Sequence, residues 1–417
     1  MRVGFLVYGP LDERSGGFLY DRRVADYLQG RGDDVVVFSL PERSYLQSTV
    51  DNVDRSLRRR LRSADLDVLL QDELCHPSLA WLNRRLDISA PVVAVVHHLR
   101  ADESRPTWRN ALVRRLERAY LRSVDAFVCN SETTRRAVST LVDGGTELVA
   151  PSVVAYPAGD RFRSAKSAAT AESSESTEPS ESTEPSESTE PSESTEPSES
   201  GRPSDPRESS TSLSTPESTG PMVSPVRVRS RAADGPLRIV CVGNVTRRKN
   251  VETLLAGLAR VHRPWELVVA GSLTVDPDYV EALRAAVGRL GLDDRVRFTG
   301  RLADASLAAL YERSHVFAMP STHEGFGIAY VEAMGFGLPV VASASGGASE
   351  LVADESNGYL VDPTNPTEVT DVVAPLCRNR ERLTRLGLAA LATYDAHPTW
   401  TETGARVGTF LDSLVAG

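Results

Sequence analysis

At 417 residues the chain is long enough for two domains with full cores, and its composition of 41% hydrophobic and 25% charged residues is that of a globular protein. The longest apolar runs, such as Pro91-Val-Val-Ala-Val-Val96, are far too short to cross a bilayer, and the aromatic pattern of a nucleic-acid binder is absent. The net charge of -10 is concentrated: the stretch 164–235 holds 14 acids and 6 bases, which leaves the remainder near neutrality.

In chain order, the first elements are short apolar runs at Arg2–Tyr8, Asp34–Ser39, Asp67–Gln71, Pro91–His97 and Asp125–Asn130, read as buried parallel strands. Helical patterns lie between several of them, for example Phe18–Leu28 and Trp108–Arg122. The N-terminus enters a strand directly, without a signal-peptide layout. Two segments are rich in arginine, Arg55–Arg62 and Arg105–Arg122. The second carries an apolar stripe at Trp108, Leu112, Leu116 and Leu121, expected to face a core. The alternative reading is peripheral contact with an anionic membrane surface.

Next, four perfect copies of Glu-Ser-Thr-Glu-Pro-Ser run from Glu175 to Ser198. A stretch with so few large apolar residues cannot bury enough surface to offset its ordering entropy, so 164–235 is predicted to be a disordered insert. The period is too short for a stacked solenoid. Beyond it, strands are predicted at Leu237–Gly243, Glu266–Ala270, Arg295–Thr299, His315–Met319 and Pro339–Ala342, with helices at Val251–Val261, Asp278–Arg289 and Ala303–Arg313. A final helix is predicted from Pro398 to Leu414. Such alternation on both sides of the insert implies two doubly wound α/β domains, whose ligands bind beyond the carboxyl ends of the strands. The four cysteines, Cys75, Cys129, Cys241 and Cys377, are scattered and read as reduced thiols of a cytoplasmic protein.

The segment Pro320-Ser-Thr-His-Glu-Gly-Phe-Gly-Ile-Ala-Tyr-Val-Glu332-Ala-Met reads as strand end, glycine turn and helix start. A turn of this kind aims free backbone N–H groups and a positive helix end at an anion. Glu324 sits in the loop and Glu332 on the helix, and carboxylates accept hydrogen bonds from paired sugar or ribose hydroxyls. Among 47 basic residues only Lys166 and Lys249 are lysine, and Lys249 follows a strand in Cys241-Val-Gly-Asn-Val-Thr-Arg-Arg-Lys-Asn250. A compact ammonium there suits a phosphate.

The pattern Glu-Gly-Phe-Gly-(x4)-Glu-Ala-Met resembles the E-x7-E motif of retaining glycosyltransferases of the two-domain (GT-B) type, family 4 in particular. The resemblance extends to Pro157-Ala-Gly-Asp-Arg-Phe162, to Gly243 through Asn250, and to Gly346-Gly347-Ala-Ser-Glu350 with Asn357-Gly358-Tyr-Leu-Val361. It implies two Rossmann-like domains facing a central cleft: an acceptor-side domain at 1–163, the insert in the hinge at 164–235, a nucleotide-sugar domain at 236–397, and a helix at 398–417 crossing back to the first domain. It implies a donor diphosphate held by Lys249, the Gly325–Gly327 turn and the Gly16-Gly17 loop, with Arg248 as a further cation. Glu332 would hold the ribose hydroxyls. Glu324 would hold those of the sugar, helped by the backbone N–H groups of Phe326 and Gly327. A histidine at the fourth strand's end, His97 or His98 with His97 preferred, would contact the transferred sugar. Glu350 reads either as a pocket residue or as a partner of its own helix's N-terminus, and Gly358 as a turn glycine.

The chain departs from the family at Asn244, where many relatives carry arginine, and at Asn250, where many carry glycine. The resemblance implies sugar transfer from a nucleotide-diphosphate sugar with retention of configuration, the alternatives being a nucleotide-sugar epimerase of the same GT-B type or a non-catalytic nucleotide-sugar-binding partner. No metal and no other cofactor is expected, since neither histidines nor acids show metal-ligand spacing. The acceptor, whether glycan, lipid or small molecule, is not legible.

Overall fold

The computed structural model describes residues 1–11, 16–103, 107–145, 148–162, 222–233 and 235–416. The hexapeptide repeats therefore lie outside the described residues, as does Ser15.

Two parallel six-stranded sheets form the framework. In the first, β1 (Arg2–Tyr8), β2 (Asp34–Leu40), β3 (Val68–Asp72), β4 (Val92–Val96), β5 (Ala126–Cys129) and β6 (Ser152–Val154) are ordered β2-β1-β3-β4-β5-β6. In the second, β7 (Leu237–Val242), β8 (Trp265–Ala270), β9 (Val296–Gly300), β10 (Val316–Met319), β11 (Val340–Ser343) and β12 (Gly358–Val361) are ordered β12-β11-β10-β7-β8-β9. Central strands such as β3 and β4 are buried at every residue, which is why they read as unbroken apolar runs. Strand order reverses between β1 and β3 and between β7 and β10, so each sheet has a crevice at the carboxyl ends of those strands. The expected doubly wound α/β class is thus observed.

Several local readings need correction. The stretch 164–235 contains a helix, Pro225–Ala232, whose start is fixed by the Ser224 side chain accepting from the N–H of Arg227 and by proline in its first turn. Its Val228 and Ala232 are buried in the second core, as are Met222 and Val223 just before it. Phe162 is part of the same core. Both chain segments flanking the undescribed stretch therefore belong to the second sheet's body, not to a hinge between the two.

The stripe on helix Thr107–Leu121 is also only half covered: Leu116 and Leu121 are buried, whereas Trp108 is 69% and Leu112 40% exposed. Gly358 opens β12 instead of lying in a turn. Helix Trp400–Val415, held at its start by a capping box of Thr399 and Glu402, lays Trp400, Val407 and Leu411 into the core of the first sheet. No helix among the described residues is long and apolar enough to cross a membrane.

Candidate active site

Lys249 and Glu324 come from the two loops that bound the second sheet's crevice, after β7 and β10. Lys249 lies in the turn Arg247–Lys249, which is closed by Asn250 in the left-handed region at φ 54°. Asparagine tolerates that conformation, which accounts for its standing where relatives have glycine. Its amide also donates to the carbonyls of Pro320 (3.0 Å) and Pro363 (2.7 Å), tying the lysine loop to the glutamate loop.

The result is a convergence of cations on one oxygen. Oε1 of Glu324 accepts from Lys249 Nζ at 2.6 Å and from Arg248 Nη1 at 2.9 Å. Burial alone would push the Glu324 carboxyl up, but Arg248 and Lys249 outweigh it and hold the group well below the usual carboxylate range. Arg248 also donates to the carbonyl of His323 at 3.0 Å.

The glycine turn behind Glu324 is shaped by close approach. A Cβ on Gly325 would lie 1.9 Å from the carbonyl oxygen of His97, so only glycine lets this loop meet the end of β4. Gly327 takes φ 102° and starts helix Ile328–Gly335 with no side-chain cap. Phe326 is buried, its ring stacked on His397 with centroids 5.5 Å apart. The Gly346-Gly347 pair packs onto the same loop, with the N–H of Gly347 donating to the Glu324 carbonyl at 2.9 Å.

His97 is fixed on three sides. Its Nε2 pairs with Asp21 Oδ1 at 2.9 Å, its backbone N–H donates to Glu73 Oε2 at 2.9 Å, and its carbonyl accepts from Asn130 Nδ2 at 2.8 Å. Its ring lies against Gly17. Burial works against the imidazolium, but Asp21, Glu73 and Asp72 overcome it and raise the His97 pKa to about 10. Burial and the Asp21 charge push the neighbouring Asp72 up to about 7. His98, whose pKa burial lowers, pairs instead with Glu103 at 3.0 Å. Gly16 begins the first helix beside Ile328 of the glycine-turn helix.

Sequence spacing missed the Asp21–Asp72–Glu73 cluster, because its members come from one helix and one strand end. Asp21, Asp72 and His97 bring three potential metal-donor atoms within 4.8 Å of one another, so the reading of no metal-ligand pattern holds along the chain but not in space. One nitrogen of that set, Nε2 of His97, is already given to Asp21.

Glu332 is buried (2% exposed) and occupied: Arg161 Nε lies 2.6 Å from Oε1, and Tyr311 donates to Oε2 at 3.3 Å. Burial raises the Glu332 pKa and Arg161 opposes that rise. Arg161 was not singled out from the sequence, although it sits inside the Pro157–Phe162 motif. Glu350 does not serve the start of its own helix. Its carboxylate accepts from the backbone N–H groups of Glu132 and Thr133 and from the Tyr156 hydroxyl, capping helix Glu132–Asp143 of the other sheet's body.

Two family models match the chain: "Glycosyl transferase 4-like domain" over residues 13–150 and "Glycosyl transferases group 1" over residues 225–392. A GDP-mannose-dependent alpha-(1-6)-phosphatidylinositol monomannoside mannosyltransferase of Mycobacterium tuberculosis is 34% identical over 196 residues, 45% of this chain and 50% of the relative. A D-inositol 3-phosphate glycosyltransferase of Xylanimonas cellulosilytica is 36% identical over 159 residues, 38% of each chain. The matched region thus spans half or less of these curated relatives. Among solved structures, sucrose-phosphate synthase from Thermosynechococcus elongatus is similar with TM-score 0.73 at 17% identity, covering 100% of this chain and 99% of that one. HepE of Anabaena, solved with UDP and glucose, is similar with TM-score 0.67 at 18% identity, covering 99% and 100%. These likenesses establish the GT-B fold. With two family models taking in both halves of the framework, the chain belongs to the group 1 glycosyltransferases.

Proposed function

We propose that the protein transfers a sugar from a nucleotide-diphosphate-sugar donor to an acceptor, with retention of configuration and without a metal in the chemical step. The observation that carries this reading is the meeting of Lys249, Arg248 and Glu324 at the crevice of the second sheet. A diphosphate entering there would take over the two cations. They and the uncapped start of helix Ile328–Gly335 would then stabilise the charge that grows on the leaving phosphate. Glu324, released from its cations but poised to stay ionised, would accept from sugar hydroxyls, assisted by the N–H groups of Phe326 and Gly327. Glu332 would hold the ribose, with Arg161 keeping its carboxylate charged. His97, held by Asp21, would face the sugar from the first sheet's body beside Gly16 and Gly17. The departing phosphate oxygen would take the acceptor's proton on the same face.

The mannosyltransferase relative is named for GDP-mannose and HepE was solved with UDP-glucose, so those two donors are tested first. A thermal-shift comparison of both on wild type and Lys249→Ala gives the readout. Ligand at a hundredfold excess over its dissociation constant stabilises a native state by about 2.7 kcal/mol. Stabilisation of wild type and not of the variant by one nucleotide class supports the reading. Absence of any shift from UDP-, GDP- or ADP-sugars removes its basis.

A further inference from the structure

The first sheet's body carries a second cationic site, away from Lys249 and Glu324. A cavity of about 270 Å³ is walled by three arginines, Arg55, Arg58 and Arg85, against one carboxylate, Asp54, with Asn52, Val53 and Leu82 completing the wall. Helix Arg55–Arg62 turns Leu57 and Leu61 inward and leaves Arg55, Arg58 and Arg62 along one outer stripe. Among the described residues, none of Arg55, Arg58 and Arg85 has a carboxylate within ion-pair distance, whereas Arg62 reaches Asp87 at 3.2 Å. The segment 43–62 holds six arginines and two aspartates in a chain whose net charge is -10. Both aspartates are already engaged: Asp51 pairs with Arg43 and accepts from the Ser78 hydroxyl, and Asp54 caps the helix through the N–H groups of Ser56 and Leu57.

Large apolar side chains stand out in the two segments that lead into this cavity, and one of them, Val53, is in its wall. Leu46 is 62%, Val50 55%, Val53 70% and Trp81 41% exposed. Asn52 ties the two segments into one edge of the body, donating to the carbonyl of Pro77 at 2.7 Å and accepting from the N–H of Trp81 at 2.7 Å. The half-covered helix with exposed Trp108 and Leu112 packs against His76–Leu79, which leads into Trp81. Unpaired guanidinium groups at the mouth of a cavity call for a phosphate. Protruding Val, Leu and Trp side chains interleaved with arginine call for the boundary between headgroups and acyl chains.

We propose that this edge binds an anionic phospholipid surface, with a lipid phosphate seated between Arg55, Arg58 and Arg85 and with Leu46, Val50, Val53 and Trp81 entering the interface. A lipid surface would bring a membrane-borne acceptor to the transfer site, and in that sense the inference extends the function proposed above. Vesicle binding is measured without any sugar donor, so it stands or falls separately from sugar transfer.

The experiment is co-sedimentation of the full chain with vesicles of phosphatidylcholine alone or mixed with an equal part of phosphatidylglycerol, at low and high salt. We expect at least about tenfold stronger partition to the anionic vesicles, weakened by salt. Arg58→Glu with Arg85→Glu should abolish that preference, and Val50→Ser with Val53→Ser should weaken binding about fivefold. Each variant is first shown by its melting temperature to be folded. Wild type that ignores anionic vesicles, or a charge-reversed variant that binds them like wild type, overturns the proposal. So does full displacement by inorganic phosphate combined with no effect of Val50→Ser with Val53→Ser, which would make the cavity a site for free phosphate.

Discussion

The carboxylate of Glu350 accepts a hydrogen bond from the backbone N–H of Thr133 at 2.6 Å and another from Glu132 at 2.9 Å, so a residue of the second sheet's body caps a helix of the first. It supplies from a distance what an N-cap side chain normally supplies locally, in addition to the Ser131 hydroxyl that the helix has of its own. Glu350→Ala should lower unfolding free energy by about 1–2 kcal/mol, and Glu350→Gln by less. Urea titration followed by tryptophan fluorescence reads both, and equal losses in the two variants would show that the carboxylate's charge is the whole effect.

Glu324 is the buried counter-ion of two partly exposed cations, which gives its removal two consequences. Glu324→Ala should abolish sugar transfer. It should also destabilise the free protein by about 1–3 kcal/mol, because Lys249 and Arg248 are left facing each other with only partial screening by solvent. A nucleoside diphosphate should then raise the melting temperature of the variant at least as much as that of wild type. A variant that no longer responds to nucleotide would mean that Glu324 itself holds the nucleotide.

The Asp21–His97 pair predicts a pH dependence. His97 has its folded pKa raised to about 10 from an ordinary value near 6.5. The pair's contribution is therefore complete below about pH 6.5 and is lost as pH rises through about 10. Asp72 and Glu73 face the same ring, and Asp72, at about 7, has finished titrating by about pH 8. The difference in unfolding free energy between wild type and Asp21→Asn should shrink from about pH 8 to about pH 10. A constant difference across that interval would show that the folded ring is neutral.

Met222 donates its N–H to the carbonyl of Gly335 at 3.0 Å, and the Phe162 ring lies 5.7 Å from that of Phe336, the next residue. Phe162 and Met222, the described residues on either side of 163–221, thus stand at neighbouring points of the second sheet's body. Replacing residues 170–215 with a short Gly/Ser linker should change the melting temperature by less than about 2 °C and leave nucleotide binding unaltered, since loop-closure entropy varies slowly with length. A large loss of either would assign the stretch a part in the folded protein.

The strands that were legible are those buried on both faces, such as Val92–Val96, where an apolar run has no other explanation. The two missed strands, Ser152–Val154 and Gly358–Val361, are short and lie at sheet edges, where pairing on one side suffices and no long apolar run is required. Helix Pro225–Ala232 was missed because only Val228 and Ala232 face the core, among arginines that read as part of a polar stretch. At the site, Lys249, Arg248 and Glu324 were legible because each follows a strand in a recognisable loop. Asp21, Arg161 and the capping role of Glu350 were not, since each acts on a partner 76 to 218 residues away and none carries a spacing pattern of its own.

Helix Trp400–Val415 completes the core of the first sheet, with Trp400, Val407 and Leu411 beside residues of β1 and the first helix and with Arg31 joined to Asp412 at 2.9 Å. On the ribosome this has a temporal meaning. The first sheet is made before the second, yet one side of its core stays open until helix Trp400–Val415 emerges, after the whole second sheet has been synthesised. Folding of the earliest strands therefore cannot finish in order of synthesis, and the two bodies should reach their final stability together.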